Sequence, residues 1–200
     1  AFLGFNHCGH LKEKEIVLIL GGSGGVGVAA IDVAKAMGAT VIAAASTPQK
    51  RDACLAAGAD YAINYDIDNW REELKTVLNG RALDVVYDPV GGEYAEPALR
   101  SLGAGGRFLV VGFAAGDIPK IPINLLLLKR CSMVGVNWGG HISANPSDSK
   151  PVLTTLLQWI TEGRLTPATG ESFELSDSGF AMMKMLDRKA IGKIVIHPNR

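Results

Sequence analysis

From residue 16 to residue 137 the chain alternates short, unbroken apolar runs with stretches whose apolar residues recur every three or four positions. Residues 16–20 (IVLIL) read as a strand buried on both faces, because no polar position interrupts the run. Val26, Ala29, Ala30, Val33, Ala34 and Met37 then trace one face of a helix. The alternation repeats. Residues 40–45 (TVIAAA) predict a second strand, Ser46-Thr47-Pro48 a helix start, and residues 49–57 a helix ended by Gly58. A third strand covers residues 61–64, and an amphipathic helix over 70–78 follows through Trp70, Leu74, Val77 and Leu78. A fourth strand spans 83–87, a helix runs through Ala95, Ala98, Leu99 and Leu102, and strands follow at 108–111 and 131–137.

Apolar strands alternating with helices predict a parallel sheet covered on both faces, in a doubly wound α/β domain of the Rossmann type. Its ligand would lie at the carboxyl ends of the strands, where strand order reverses. Those tips are residues 21–25, Ser46, residues 88–90, Gly112-Phe113 and Asn137-Trp138. Residues 141–149 read as a polar linker. Near the end, residues 171–175 predict a strand, 176–187 a helix capped at Ser176-Asp177, and 191–196 a strand. Phe180, Met183 and Leu186 give that helix an apolar stripe.

Between the first strand and the first helix stand Gly22, Gly24 and Gly27, in the spacing G-x-G-x-x-G. The first glycine permits a tight turn, the second lets the backbone approach a pyrophosphate, and the third lets the helix pack close to the strand. The helical N–H groups that follow point at the phosphates, aided by the positive end of the helix dipole. In the strand–turn–helix context this is a dinucleotide-binding fingerprint.

Composition narrows the partners. Twenty basic and 20 acidic residues cancel, so no basic field exists to attract nucleic acid or a membrane surface. No stretch is long and apolar enough to span a bilayer, and residues 121–128 are interrupted by Pro122 and Asn124. Cys8, Cys54 and Cys131 are odd in number and scattered, which suits reduced thiols and a cytoplasmic location. His7, Cys8 and His10 lack zinc spacing and a fourth ligand, so no metal site is expected. The chain begins at Ala1 without an initiator Met, leading us to expect a piece of a longer protein.

The expected second strand ends Ala43-Ala44-Ala45-Ser46, with no carboxylate until Asp52. An acid there accepts bonds from the ribose hydroxyls of NAD and repels a 2′-phosphate. Its absence, with Lys50 and Arg51 one helical turn on, favours NADPH. Asp88, before Pro89, reads as a turn cap and not as an acid. No Ser-His-Asp set or carboxylate pair stands out, so no catalytic residue is assigned.

The stretches GGSGGVGVAAIDVAKAMGATVIAAASTPQK, GADYAINY, DPVGG, GGRFLVVGFAAG, IPINLLLLK and RKAIGKIVI resemble the medium-chain dehydrogenase/reductase superfamily, in its zinc-independent quinone oxidoreductase (zeta-crystallin-like) branch. The resemblance implies NADPH-dependent hydride transfer to quinones or other α,β-unsaturated carbonyl compounds. By motif position it places Gly24, Gly25 and Val26 at the pyrophosphate, with Gly22, Gly27 and Val90 in the same cofactor-binding set. Ser46, Lys50 and Tyr65 would surround the 2′-phosphate. Gly112, Phe113, Val136, Asn137 and Trp138 would line the nicotinamide through backbone groups. Asn137 departs from the aliphatic or aromatic residue expected there.

The resemblance also implies an absent N-terminal substrate domain. Residues 1–166 are then the dinucleotide-binding domain with its lead-in helix, and residues 167–200 a strand–helix–strand returned to the missing domain. It implies a homodimer through the 131–137 edge strand. A stand-alone NADP(H)-binding sensor or assembly module without turnover is the alternative.

Overall fold

The computed structural model describes residues 1–198. Its main sheet contains β1 (Ile16–Leu20), β2 (Thr40–Ala44), β3 (Tyr61–Ile63), β4 (Leu83–Asp88), β5 (Leu102–Val110) and β6 (Ser132–Gly135). All neighbours are parallel, in the order β3-β2-β1-β4-β5-β6. This is the doubly wound Rossmann arrangement, with its switch point between β1 and β4.

Strand periodicity divides the core in two. Val17 and Ile19 of β1 pack with Val41, Ala43, Val85 and Tyr87 on one face. Ile16, Leu18 and Leu20 pack with Ile42, Ala44 and Val86 on the other. Every residue of β1 is buried, so the run has no polar alternation because neither face meets water. Helix α1 (Gly25–Ala36) covers the first face through Ala30, Ile31, Val33 and Ala34, and α2 (Pro48–Ala56) adds Cys54. Helices α3 (Trp70–Leu78) and α4 (Ala95–Ser101) cover the second through Trp70, Leu74, Leu78, Ala98 and Leu99. Thr47 caps α2, its Oγ1 accepting the Lys50 amide at 3.3 Å, with Pro48 in the first turn as expected.

A π-helical turn, Leu3–Cys8, leads into β1 with Leu3 and Phe5 buried. Arg107 of β5 fixes it there. Its guanidinium donates to both Glu15 carboxylate oxygens at 2.8 and 2.7 Å, to the Gly9 carbonyl at 2.7 Å and to the His10 carbonyl at 3.1 Å.

Two sequence expectations need correction. The 141–149 stretch is not a linker: a helix over Trp138–Ala144 and a Pro146–Asp148 turn run into a longer helix, Ser149–Thr161. With the short helix Asn124–Lys129 before them as α5, these two are α6 and α7. The Asn137 side chain starts α6 by accepting the Gly140 amide at 2.9 Å, and Leu156 and Trp159 of α7 pack on the first core face. The longer helix was hidden because its inward residues are only partly shielded, while Leu153 and Leu157 stay exposed and blur its apolar stripe. The second correction concerns the C-terminal segment. Strands β7 (Ser172–Glu174) and β8 (Val195–His197) pair in parallel, flanking α8 (Ser178–Leu186). Residues 191–194, expected within the last strand, instead cross the glycine turn. Neither Ser176 nor Asp177 caps α8 through its side chain. Residues 199–200 of the segment lie outside the described residues.

Candidate nucleotide-binding site

The glycine turn has a separate steric reason at each position. A Cβ on Gly22 would lie 2.9 Å from Ala43 Cβ and 3.0 Å from Cys54 Sγ, beneath the turn. On Gly27 it would lie 2.3 Å from the Gly21 carbonyl oxygen and 2.6 Å from Gly22 Cα, so only glycine lets α1 begin this close to β1. Gly24, by contrast, faces open space apart from the Gly21 carbonyl oxygen at 3.5 Å, leaving its backbone approachable. The helical bonding of α1 begins with the Val28 amide donating to the Gly24 carbonyl at 2.9 Å. The amides of Gly25, Val26 and Gly27 therefore stand free at the helix N-terminus, where anions are favoured.

Two cavities meet at Val26. One, of about 370 Å³, holds Gly24, Gly25, Val26 and Gly27 with Lys50, Tyr65, Val90, Tyr94 and Arg188. The other, of about 630 Å³, lies over β4, β5 and β6 and holds Phe113, Val136, Asn137 and Trp138 with Tyr87, Val110 and Leu156. The structure thus divides the expected residues into a cationic compartment and one lined mainly by apolar side chains, none of them charged. Gly22, Ser46 and Gly112 line neither. Ser46 instead accepts Arg51 Nη1 through its carbonyl at 3.0 Å, and Arg51 likewise lines neither cavity.

The cationic compartment has members that the sequence did not single out. Lys50 Nζ donates to the Arg188 carbonyl at 2.6 Å, and Arg188 itself reaches toward the Ala115 carbonyl at 3.5 Å. Arg188 adopts a left-handed φ of 57° at the turn after α8. Beyond it, the Gly192 amide donates to the Ser23 carbonyl at 2.8 Å, and Gly192 pairs in parallel with Gly24. The strap 188–192 thereby borders the glycine turn. Nothing in composition marks Arg188, since most arginines are solvated.

Tyr65 and Tyr94 stack with centroids 4.4 Å apart, and Tyr94 Oη donates to Asp66 Oδ1 at 3.3 Å. Burial first, then Tyr94 and Asp66, pushes the Tyr65 hydroxyl up to about 12, so it stays a neutral donor. Asp88 behaves as the turn cap expected, its Oδ1 accepting the Val90 and Gly91 amides at 2.8 Å each. Burial raises its pKa, and those two amides partly oppose the shift.

A fully parallel sheet, a glycine turn opening a helix at the switch point, and a cleft over the strand tips define a Rossmann-type α/β domain. The family model described as zinc-binding dehydrogenase matches residues 25–159. The chain belongs to this family, within the medium-chain dehydrogenase/reductase superfamily. It is 37% identical over 197 residues to quinone oxidoreductase-like protein 2 of Bos taurus, covering 98% of this chain and 56% of that protein. It is 32% identical over 200 residues to acryloyl-coenzyme A reductase of Sulfurisphaera tokodaii, covering 98% of this chain and 55% of that protein. The quinone oxidoreductase of Thermus thermophilus, solved also as its complex with NADPH, superposes with a TM-score of 0.84 at 30% identity. That match covers 98% of this chain and 62% of the other. The chain therefore spans a little over half the length of the curated relatives it matches.

The family description names zinc. Among the described residues no three His, Cys, Asp or Glu side chains converge to hold a metal ion, so these residues offer zinc no site. Among them, no helix is long and apolar enough to cross a membrane.

Proposed function

We propose that this chain is the NADPH-binding half of an oxidoreductase that passes hydride to quinones or other α,β-unsaturated carbonyl compounds. The observation that carries the reading is the pair of cations, Lys50 and Arg188, bordering the same compartment as the glycine turn, with no acid at the end of β2. A 2′-phosphate would find two positive side chains there and no carboxylate at the end of β2. The amides of Gly25, Val26 and Gly27 suit the pyrophosphate, which Gly24 lets approach the backbone, Val90 suits the adenosine side, and Tyr65 supplies a neutral hydroxyl in the same compartment as Lys50. Ser46 and Gly112 would act through backbone groups at the strand tips, and Gly22 through the shape of the turn.

When bound, NADPH supplies the hydride. The side chains of Phe113, Val136 and Trp138 line the apolar compartment and orient the flat ring in it. The acryloyl-coenzyme A reductase and quinone oxidoreductase names of the relatives support a conjugated carbonyl as acceptor. We assign the choice among such acceptors to an N-terminal substrate domain outside this chain, and zinc has no part in this scheme. β6 is an edge strand with Met133, Leu127 and Leu128 exposed nearby, which supports a homodimer through the 131–137 region. A dimeric mass in sedimentation at micromolar concentration is expected.

Calorimetric titration tests the cofactor assignment. NADPH is expected to bind at least about tenfold more tightly than NADH, about 1.4 kcal/mol of selectivity. Equal affinities would remove the phosphate site while leaving the fold untouched.

A further inference from the structure

The apolar compartment contains a polar group without a hydrogen-bond partner among the described residues. Tyr87, on β4 beneath the cavity, is only 1% exposed. Its hydroxyl has no hydrogen-bond partner among the described side chains and backbone groups, although the residue lines the cavity. Its ring is held in place: Phe5 stacks on it with centroids 4.8 Å apart, and a Cβ on Gly4 would already come within 3.2 Å of Tyr87 Cε2. The hydroxyl is not sealed in: the little exposure the residue keeps leaves it open to the cavity, where it can meet water or a bound ligand. A ligand held there can take the place of that water.

The surroundings specify what kind. Val110, Val136, Trp138 and Leu156 give the cavity apolar walls. Two other side chains there have hydrogens to offer, Trp138 through its indole N–H and Asn137. The Asn137 Oδ1 accepts the Gly140 amide, and its Nδ2 hydrogens remain to be offered. Burial pushes the Tyr87 hydroxyl up to about 12, so at neutral pH it too remains a donor. The side chains thus offer donor hydrogens at Tyr87, Asn137 and Trp138 to a ligand in the cavity.

We propose that the Tyr87 hydroxyl donates a hydrogen bond to a carbonyl oxygen on a flat ligand held in this apolar compartment. The inference rests on the oxidoreductase reading above and deepens it. Two carbonyls have the required chemistry: the carboxamide of the nicotinamide and the conjugated carbonyl of the acceptor. In either case the hydroxyl fixes the orientation of the group it bonds, and for the acceptor it also draws charge from the carbonyl as hydride arrives.

The test is the Tyr87→Phe variant, titrated with adenosine 2′,5′-bisphosphate, with reduced nicotinamide mononucleotide, and with cyclohex-2-enone at saturating NADPH. Thermal unfolding accompanies the titrations. Because the hydroxyl bonds nothing in the protein, the variant should melt at or above the wild-type midpoint, and adenosine 2′,5′-bisphosphate should bind equally to both. Binding of the nicotinamide mononucleotide weakened about fivefold assigns the carboxamide. Unchanged mononucleotide binding with enone binding weakened by that factor assigns the acceptor. Unchanged binding of both overturns the proposal, as does a clearly lowered midpoint, which would show an internal partner. Failure of the wild-type chain to bind either half of the cofactor would overturn the nucleotide reading itself and this inference with it.

Discussion

The ammonium of Lys50 is held at 2.6 Å by the main-chain carbonyl of Arg188, a residue 138 positions away. A carbonyl orients the amine without neutralising it, so both cations keep their charge at the same end of the cleft. Lys50→Ala and Arg188→Gln should each weaken NADPH binding about tenfold and leave NADH within a factor of about two. The NADPH loss should shrink as salt rises, because the site is open to solvent. Calorimetry at two ionic strengths checks this.

Gly25 and Gly27 lie close in sequence with opposite tolerance. A Cβ on Gly25 meets nothing closer than the Gly192 carbonyl at 3.4 Å, whereas on Gly27 it would strike the Gly21 carbonyl at 2.3 Å. Gly27→Ala should therefore destabilise the fold by about 1–3 kcal/mol as α1 is forced off β1. Gly25→Ala should fold like the wild type. Denaturant unfolding separates the two.

Glu15 and Arg107 form a largely buried ion pair, their side chains 19% and 16% exposed. Burial alone would raise the Glu15 pKa, but the Arg107 bonds and charge, with the Lys12 amide and charge, outweigh it and leave it lowered. A carboxyl with a lowered folded pKa contributes stability above its ordinary value and loses it as pH falls through the folded one. The unfolding free energy should thus decline on acidification below the ordinary glutamate range. Arg107→Met should remove about 2 kcal/mol at neutral pH, discounted from a fully buried pair for residual exposure, and flatten that acid slope. Denaturant unfolding across the acid range checks both.

Asp88 has the opposite sign. Its folded pKa is raised by burial, so its ionised form costs stability at neutral pH, and protonation on acidification restores it. Asp88→Asn keeps an acceptor for the Val90 and Gly91 amides while removing the charge, and should equal or exceed the wild type in stability. Asp88→Ala leaves both amides unpaired and should lose about 1–3 kcal/mol. Chemical denaturation of the two variants at neutral pH distinguishes a turn cap from a group needed as a carboxylate.

Much of the fold was legible because the central strands are buried on both faces and therefore carry no polar letters; Ile16 to Leu20 could be little else. Asp88 was readable as a cap because the residue before proline is restricted and Asp bonds forward to nearby amides. Helix α7 was not. Its inward residues Leu156 and Trp159 are mixed with exposed Leu153, Leu157 and Ile160, so apolar character did not report burial. Arg188 was invisible for another reason. Its place in the cleft depends on a left-handed turn and on a strap that folds back across the chain, from Gly192 to Gly24. Such long-range backbone pairing leaves no period in the letters. Tyr87 appeared only as one more apolar position in LDVVY.

That bridge between Gly24 and Gly192 makes the cleft's floor and its edge one hydrogen-bonded object. A ligand that steadies the first must slow the fraying of the second, and by reciprocity whatever anchors the C-terminal segment must tighten the ligand. Occupancy of the cleft would then be written most durably in the exchange rate of the Gly192 amide. A truncation ahead of Arg188 would be felt as lost affinity long before it was felt as lost fold.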